Sequence, residues 1–256
     1  MEWIHPHPLT VTPVMGIPTS RLTRAQLLEC FARALDSQGP LHFAYLNIAV
    51  SNQAADNPRL EAILRKAQVV YVDGAGVALG LRLLGVDCPA RNTGADFYRE
   101  VAGLCRDKGK SLGLLGGHPG SAERLAEMLR TEFPGLDIPF IADGFQGPED
   151  PATLERLRQN PPDLLLVGMG VPKQEEWIEK SRRNFGVTLY WSVGALFEYD
   201  AGRLNRCPDW MGRAGLEWLY RLYCEPFRLW KRYLIGNPRF LLRCLCSRWR
   251  GRAGTS

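Results

Sequence analysis

Residues 163–176 read DLLLVGMGVPKQEE: four apolar residues, a turn held between two glycines, then a proline and a run of charged, helix-forming residues. An apolar run without alternation predicts a strand covered on both faces, the state of a strand in a parallel sheet. Pro172 suits the first turn of a helix, and Glu175 and Glu176 complement its positive end. The same strand, glycine turn and helix recur to either side. Leu41–Ile48, Val69–Val72, Ser111–Leu115, Leu136–Ile141, Asp163–Val167 and Val187–Val193 read as strands. Arg59–Ala67, Ala95–Lys108, Ser121–Phe133, Pro151–Gln159 and Lys173–Asn184 read as helices. Such alternation predicts an α/β fold: a doubly wound, mostly parallel sheet of about six strands with helices on both faces.

The rest of the chain agrees with a folded enzyme-sized domain. Its 256 residues are 45% apolar and 23% charged, which excludes disorder, collagen and coiled coil as the main state. No apolar run reaches the roughly 18 residues of a membrane span, and the first twenty residues lack a basic start followed by an apolar core. Neither a transmembrane helix nor a secretory signal is therefore expected. Seven scattered cysteines without a C-x-x-C pair read as reduced thiols. His5 and His7 have no further ligand at metal spacing, so no metal site is expected.

Charge is split along the chain. Residues 1–202 hold 20 Lys/Arg against 24 Asp/Glu, whereas residues 203–256 hold 12 Lys/Arg against only Asp209, Glu217 and Glu225. Four of the seven tryptophans also lie in that tail: Trp210, Trp218, Trp230 and Trp249. Arginine mixed with Trp and Tyr suits an anionic membrane surface. It also suits single-stranded nucleic acid, or a solvated helical face with an aromatic inner side. Arg221, Arg228 and Arg232 would share an arc of about 40° on one continuous helix, although Pro226 interrupts it.

Ligands of a doubly wound sheet bind beyond the carboxyl ends of its strands. Here those ends carry Asn47, Asp73-Gly74-Ala75-Gly76, Gly116-Gly117, Asp143-Gly144, Gly168-Met169-Gly170 and Gly194. Glycines let backbone approach a ligand, and the helix N-termini that follow can hold phosphate. Yet no loop completes G-x-G-x-x-G or G-x-x-x-x-G-K-[ST], and no G-x-S-x-G or D-x-D occurs. Asp73 could take a proton from an attacking hydroxyl, or could cap the next helix. Lys173 and Gln174 could present a cation and an amide to an anion, or belong to ordinary helix capping. Arg91 could grip phosphate, or form a surface ion pair.

Taken in order, these pieces resemble the WecG/TagA/CpsF glycosyltransferase family. They are Leu46-Asn47, Val72-Asp73-Gly74-x-Gly76, Arg91-x-x-Gly94-x-Asp96, Leu115-Gly116-Gly117, Asp143-Gly144-Phe145, Gly168-Met169-Gly170-x-Pro172-Lys173-Gln174-Glu175, Arg206-x-Pro208-x-Trp210 and Leu216-Glu217-Trp218-Leu219-Tyr220-Arg221. The resemblance runs from Val14 to about Arg232. It implies a Rossmann-like catalytic domain, placed here at residues 1–203, and a helical, basic and aromatic appendage at 204–256. It implies inverting transfer from a UDP-sugar to a polyprenyl-diphosphate-linked saccharide, with no metal and no cofactor beyond the donor.

By the same resemblance Asp73 is the general base, and Arg91 and Gln174 position substrate. Arg221, Arg228 and Arg232 neutralise the diphosphate as the tail closes. Asn47, Gly74, Gly76, Gly94, Gly116, Gly117, Gly168, Gly170 and Lys173 line the substrate site. Tyr45 stands where the family often has Thr, so the sugar accommodated there can differ. The implied setting is surface polysaccharide assembly on the inner, cytoplasmic face of a membrane, with the tail mobile away from lipid. A homo-oligomer is left open, and no nucleic-acid partner is expected. A nucleotide-dependent oxidoreductase and a non-catalytic nucleic-acid-binding module are the competing readings.

Overall fold

The computed structural model describes residues 2–88, 92–200, 202 and 207–253. Eight strands form one sheet: β1 (Val11–Val14), β2 (Ile17–Ser20), β3 (Leu41–Leu46), β4 (Val69–Val72), β5 (Leu112–Gly116), β6 (Phe140–Ala142), β7 (Leu164–Gly168) and β8 (Leu189–Ser192). Their order is β1-β2-β4-β3-β8-β7-β5-β6, parallel throughout except for the antiparallel β1–β2 pair. The expected α/β sheet is present, with eight strands in place of about six.

The two additional strands form a hairpin. It turns through Met15 and Gly16, both at positive φ, and pairs Pro13 with Pro18. Two prolines in eight residues hide the strand pattern, because proline lacks the ladder donor and sits only at sheet edges or bulges. The strand expected over Leu136–Ile141 shortens to Phe140–Ala142. Leu136 and Ile138 are still buried, but as loop residues packed under the sheet.

Side chains on β4 alternate between two layers, as strand geometry requires. Val69 and Tyr71 join the core beneath α1 (Arg24–Leu35), α5 (Gly94–Asp107) and α6 (Ser121–Glu132). Val70 and Val72 join the opposite core, beneath α2 (Ile48–Asp56), α3 (Pro58–Lys66) and α4 (Ala75–Leu83). Farther along that second face lie α7 (Pro151–Gln159) and α8 (Lys173–Ser181), while the short α9 (Leu196–Asp200) returns to the first. Phe31, Phe97 and Trp191 interlock at ring distances of 4.7–6.0 Å, and the Trp191 indole donates to the Tyr71 hydroxyl at 3.1 Å. This aromatic cluster stiffens the carboxyl end of β4.

The boundary expected at residues 203 and 204 lies outside the described residues, as does Arg91. The basic tail forms α10 (Asp209–Arg213), α11 (Glu217–Cys224), α12 (Pro226–Trp230), a π turn (Lys231–Ile235) and α13 (Gly236–Ala253). Here α13 is docked on the sheet domain. Phe240 and Cys244 are fully buried in the second core, over Gly80, where a Cβ would come within 2.5 Å of the Phe240 ring. Asn52 donates to the Gly236 carbonyl at 2.8 Å, and Arg239 makes a two-pronged pair with Asp56 at 2.8 and 2.9 Å. No helix among the described residues is long and apolar enough to cross a membrane.

Candidate active site

The carboxyl ends of β3, β4, β7 and β8 open into a cavity of about 900 Å³, roofed by the tail. β3 and β8 are neighbours in the sheet although they are far apart in the chain, so the crevice sits where strand order reverses. Asn47, directly after β3, caps α2 by accepting from the Val50 amide at 3.0 Å. Its amide Nδ2 donates to Asp73 Oδ2, also at 3.0 Å. One side chain thus fixes a helix start and aims a carboxylate.

Asp73 does not cap α4. The cap position is Gly74, at φ +79, and no side chain caps that helix. Burial pushes the Asp73 carboxyl above the ordinary carboxylate range, and Glu217 pushes the same way. The hydrogen bond from Asn47 and the Arg232 guanidinium act in the opposite sense. A carboxylate so placed holds a proton more readily than an exposed one, which is the property a base needs.

Arg221 and Arg232 stand on the cavity wall supplied by the tail. The Arg221 guanidinium lies 5.8 Å from the Tyr199 ring centre. Arg232 Nε is buried and has no hydrogen-bond partner. A buried N–H left unsatisfied costs about 1–3 kcal/mol, more on a charged group, and an anionic ligand would supply its acceptor. Tyr45 also lines the cavity, with burial pushing its phenol upward, so it enters the site as a neutral hydroxyl.

Among the residues expected at the site, Tyr45, Asn47, Asp73, Gly74, Gly76, Gly94, Gly170, Arg221 and Arg232 all line this one cavity. Others do not reach it. Gly116, Gly117 and Gly168 make room for Phe197, whose ring would collide with a Cβ on either Gly116 or Gly168. Lys173 is exposed on the first turn of α8. Arg228 pairs with Glu225 at 2.6 Å on the outer surface. The expected arc of three arginines is broken, because α11 stops before Pro226 and the π turn adds a residue to its winding.

Gln174 lies beneath the cavity floor, fully buried. Its Oε1 accepts from the Gly194 amide at 3.1 Å, and its Nε2 donates to Glu175 Oε1 at 2.7 Å. Burial pushes the Glu175 carboxyl up to about 7. Gly194, which does line the cavity, is held at φ +60 against the Tyr45 hydroxyl. The polar lining also includes Thr93, Glu217 and Arg82, which sequence reasoning passed over. Thr93 and Glu217 sat inside matching motifs, whereas Arg82 carried no signal beyond standing two turns after Ala75.

A mostly parallel sheet with a buried carboxylate and two guanidinium groups around its strand-end crevice marks the chain as an α/β protein with a charged candidate site. Within that class the chain belongs to the glycosyl transferase WecG/TagA/CpsF family, whose sequence model matches residues 12–254. It is 29% identical over 211 residues to the N-acetylglucosaminyldiphosphoundecaprenol N-acetyl-beta-D-mannosaminyltransferase of Bacillus spizizenii strain W23, covering 82% of this chain and 81% of that protein. Against the protein of the same name from Bacillus subtilis strain 168 the identity is 30% over 183 residues, covering 72% and 70%. The solved structure of unliganded arylmalonate decarboxylase overlaps 78% of this chain and 87% of its own at 19% identity, but its TM-score of 0.25 carries no argument. The chain is a glycosyltransferase.

Proposed function

We propose that this glycosyltransferase moves a sugar from a UDP-sugar to a polyprenyl-diphosphate-linked saccharide, with inversion and without a metal. The observation that carries the reading is the placement of Asp73 in one cavity with Arg221 and Arg232. In the reaction, Asp73 removes the proton from the acceptor hydroxyl as that oxygen attacks the donor's anomeric carbon. The bond from that carbon to the diphosphate breaks, and UDP leaves with its electron pair. Arg221 offsets the charge that develops on the leaving group, and the unpartnered Nε of Arg232 faces the acceptor's diphosphate. Tyr45 and Gly194 bound the sugar side of the cavity, and Gln174 fixes the Gly194 amide from below.

The names of the Bacillus relatives support N-acetylmannosamine as donor sugar and N-acetylglucosamine on diphosphoundecaprenol as acceptor. The uronic acid of that sugar and glucose are the donors to compare with it. The division proposed is a catalytic part, 1–203, and an appendage, 204–256, whose Arg221, Arg232 and apolar residues complete the cavity. Tyr223, Phe227 and Trp230 are exposed beside Arg228 and Lys231, a combination suited to an anionic bilayer. The enzyme would then work peripherally, on the cytoplasmic face, where envelope polysaccharide precursors are assembled.

The deciding experiment measures UDP release in EDTA from a panel of UDP-sugars, with and without the lipid-linked acceptor. One donor should give acceptor-dependent, EDTA-resistant release, and Asp73→Asn should lower kcat by roughly 10²–10⁴-fold. Release that Asp73→Asn leaves intact would remove Asp73 as the base. No acceptor-dependent release with any donor would overturn the reaction.

A further inference from the structure

We infer that the cavity is also a hydrocarbon site: its limb between α2, α4 and the start of α13 holds the first isoprene units of a prenyl diphosphate. This rests on the acceptor class proposed above and assigns residues to its lipid part. The cavity has two chemically different ends. Asp73, Arg221 and Arg232 mark one. The other is walled by Ile48 and Val50 of α2, Leu79 of α4, Leu234 of the π turn, and Pro238 and Leu241 of α13. Its polar members are Gln53, Arg82 and Asn237, and none of the three is fully buried.

A prenyl diphosphate joins its hydrocarbon directly to its charge. If the acceptor's diphosphate meets the unpartnered Nε of Arg232, two residues before the cavity-lining Leu234, the adjoining carbons must run along a neighbouring wall. A sugar or nucleobase on that wall would leave its hydroxyls or ring nitrogens facing aliphatic carbon, which costs free energy unless hydrogen bonds replace those to water. Hydrocarbon gains there instead, at about 25 cal/mol per Å² covered.

The limb also leads outward. At roughly 100° per residue, Pro238, Leu241, Leu242 and Leu245 fall within an arc of about 100° on α13. Pro238 and Leu241 line the cavity, while Leu242 and Leu245 are 61% and 45% exposed. From Pro238 to Leu245 the helix rises about 10 Å, about the length of two isoprene units. Leu79, across the limb, is 47% exposed. An apolar track therefore starts beside the cations and reaches the surface, so a long chain need not be threaded through the protein.

The test compares saccharide-diphosphate acceptors esterified with ethyl, one, two or three isoprene units, each below its micelle concentration and without detergent. The full-length chain and the donor found above are used. The value of kcat/KM should rise roughly tenfold per unit over the first two units and then level off. Leu79→Gln, at a half-exposed position that tolerates a polar residue, should flatten that rise to less than about threefold, and Leu241→Asn gives a second, independent reading. The ratio between long and ethyl acceptors is the readout, so any general loss of activity cancels. Transfer that is equally efficient along the series, or a rise that both variants leave unchanged, would overturn the hydrocarbon site and leave the reaction standing. Failure with every acceptor, including the full-length lipid in vesicles, would overturn the reaction and this site together.

Discussion

Asn47 and Asp73 work as a pair at the scale of single residues. Asn47 spends its side-chain oxygen on the Val50 amide of α2 and its NH₂ on Asp73, so neither group is free to rotate. Its hydrogen bond favours the ionised carboxylate, whereas burial and Glu217 favour the protonated one. Because burial is the largest influence, Asp73 becomes a competent base only above the ordinary carboxylate range. The acid limb of the kcat/KM profile should lie there. Asn47→Ala removes a donor to the charged form, so the limb should move further up. A profile unchanged in Asn47→Ala would show that the limb belongs to another group.

Much of this was legible from residue type and strand position. Asp73, Asn47 and the open glycines 74 and 170 sit at strand ends, and strand ends are where such a sheet binds ligands. Gln174 was legible as important but not as buried. Nothing in its sequence position says that the amide turns under the floor toward Gly194 instead of outward. Gly116 and Gly168 misled in a different way, since close approach to Phe197 and close approach to a ligand demand the same residue.

Among the elements, α13 depends on one position of another helix. Phe240 packs onto α4 at Gly80, where a Cβ would collide with its ring, so Gly80→Val should lift α13 from the sheet domain. The expected cost is about 1–3 kcal/mol, with faster hydrogen exchange along α13 while the sheet strands keep their protection. Phe240→Ala alone should cost about 3–5 kcal/mol. Combined with Gly80→Val it should cost less than the sum, because the side chain that collides has been removed. Additive losses would mean that Gly80 and Phe240 do not meet in solution. β3, β4, β5, β7 and β8 were readable because their faces are buried. The β1–β2 hairpin was not, with a proline in each strand, and neither was the π turn that brings Arg232 round to the cavity while Arg228 faces out.

Across the whole molecule, the uneven charge becomes an orientation. Arg228, Lys231 and the exposed Tyr223, Phe227, Trp230 and Leu234 lie along α11, α12 and the π turn, the stretch whose Arg221, Arg232 and Leu234 also line the cavity. The protein should therefore cosediment with anionic vesicles, less with neutral ones, and less again as salt is raised. Phe227 is 95% exposed and has little folding role. Phe227→Ser combined with Trp230→Ser should weaken vesicle binding at least tenfold, at roughly 0.8 kcal/mol per CH₂ withdrawn from lipid. Equal binding by the double variant would place the contact elsewhere.

The margins of the sheet have a consequence of their own. On one side it ends in β1, four residues long with Pro13 in its middle and a partner only in β2. On the other it ends in β6, three residues long, directly preceded by Pro139. Neither margin offers a run of free N–H and C=O groups that a foreign strand could zip onto. Growth of the sheet from one copy into the next is thus closed at both borders, and any pairing of two copies has to be made by helices, loops or the tail.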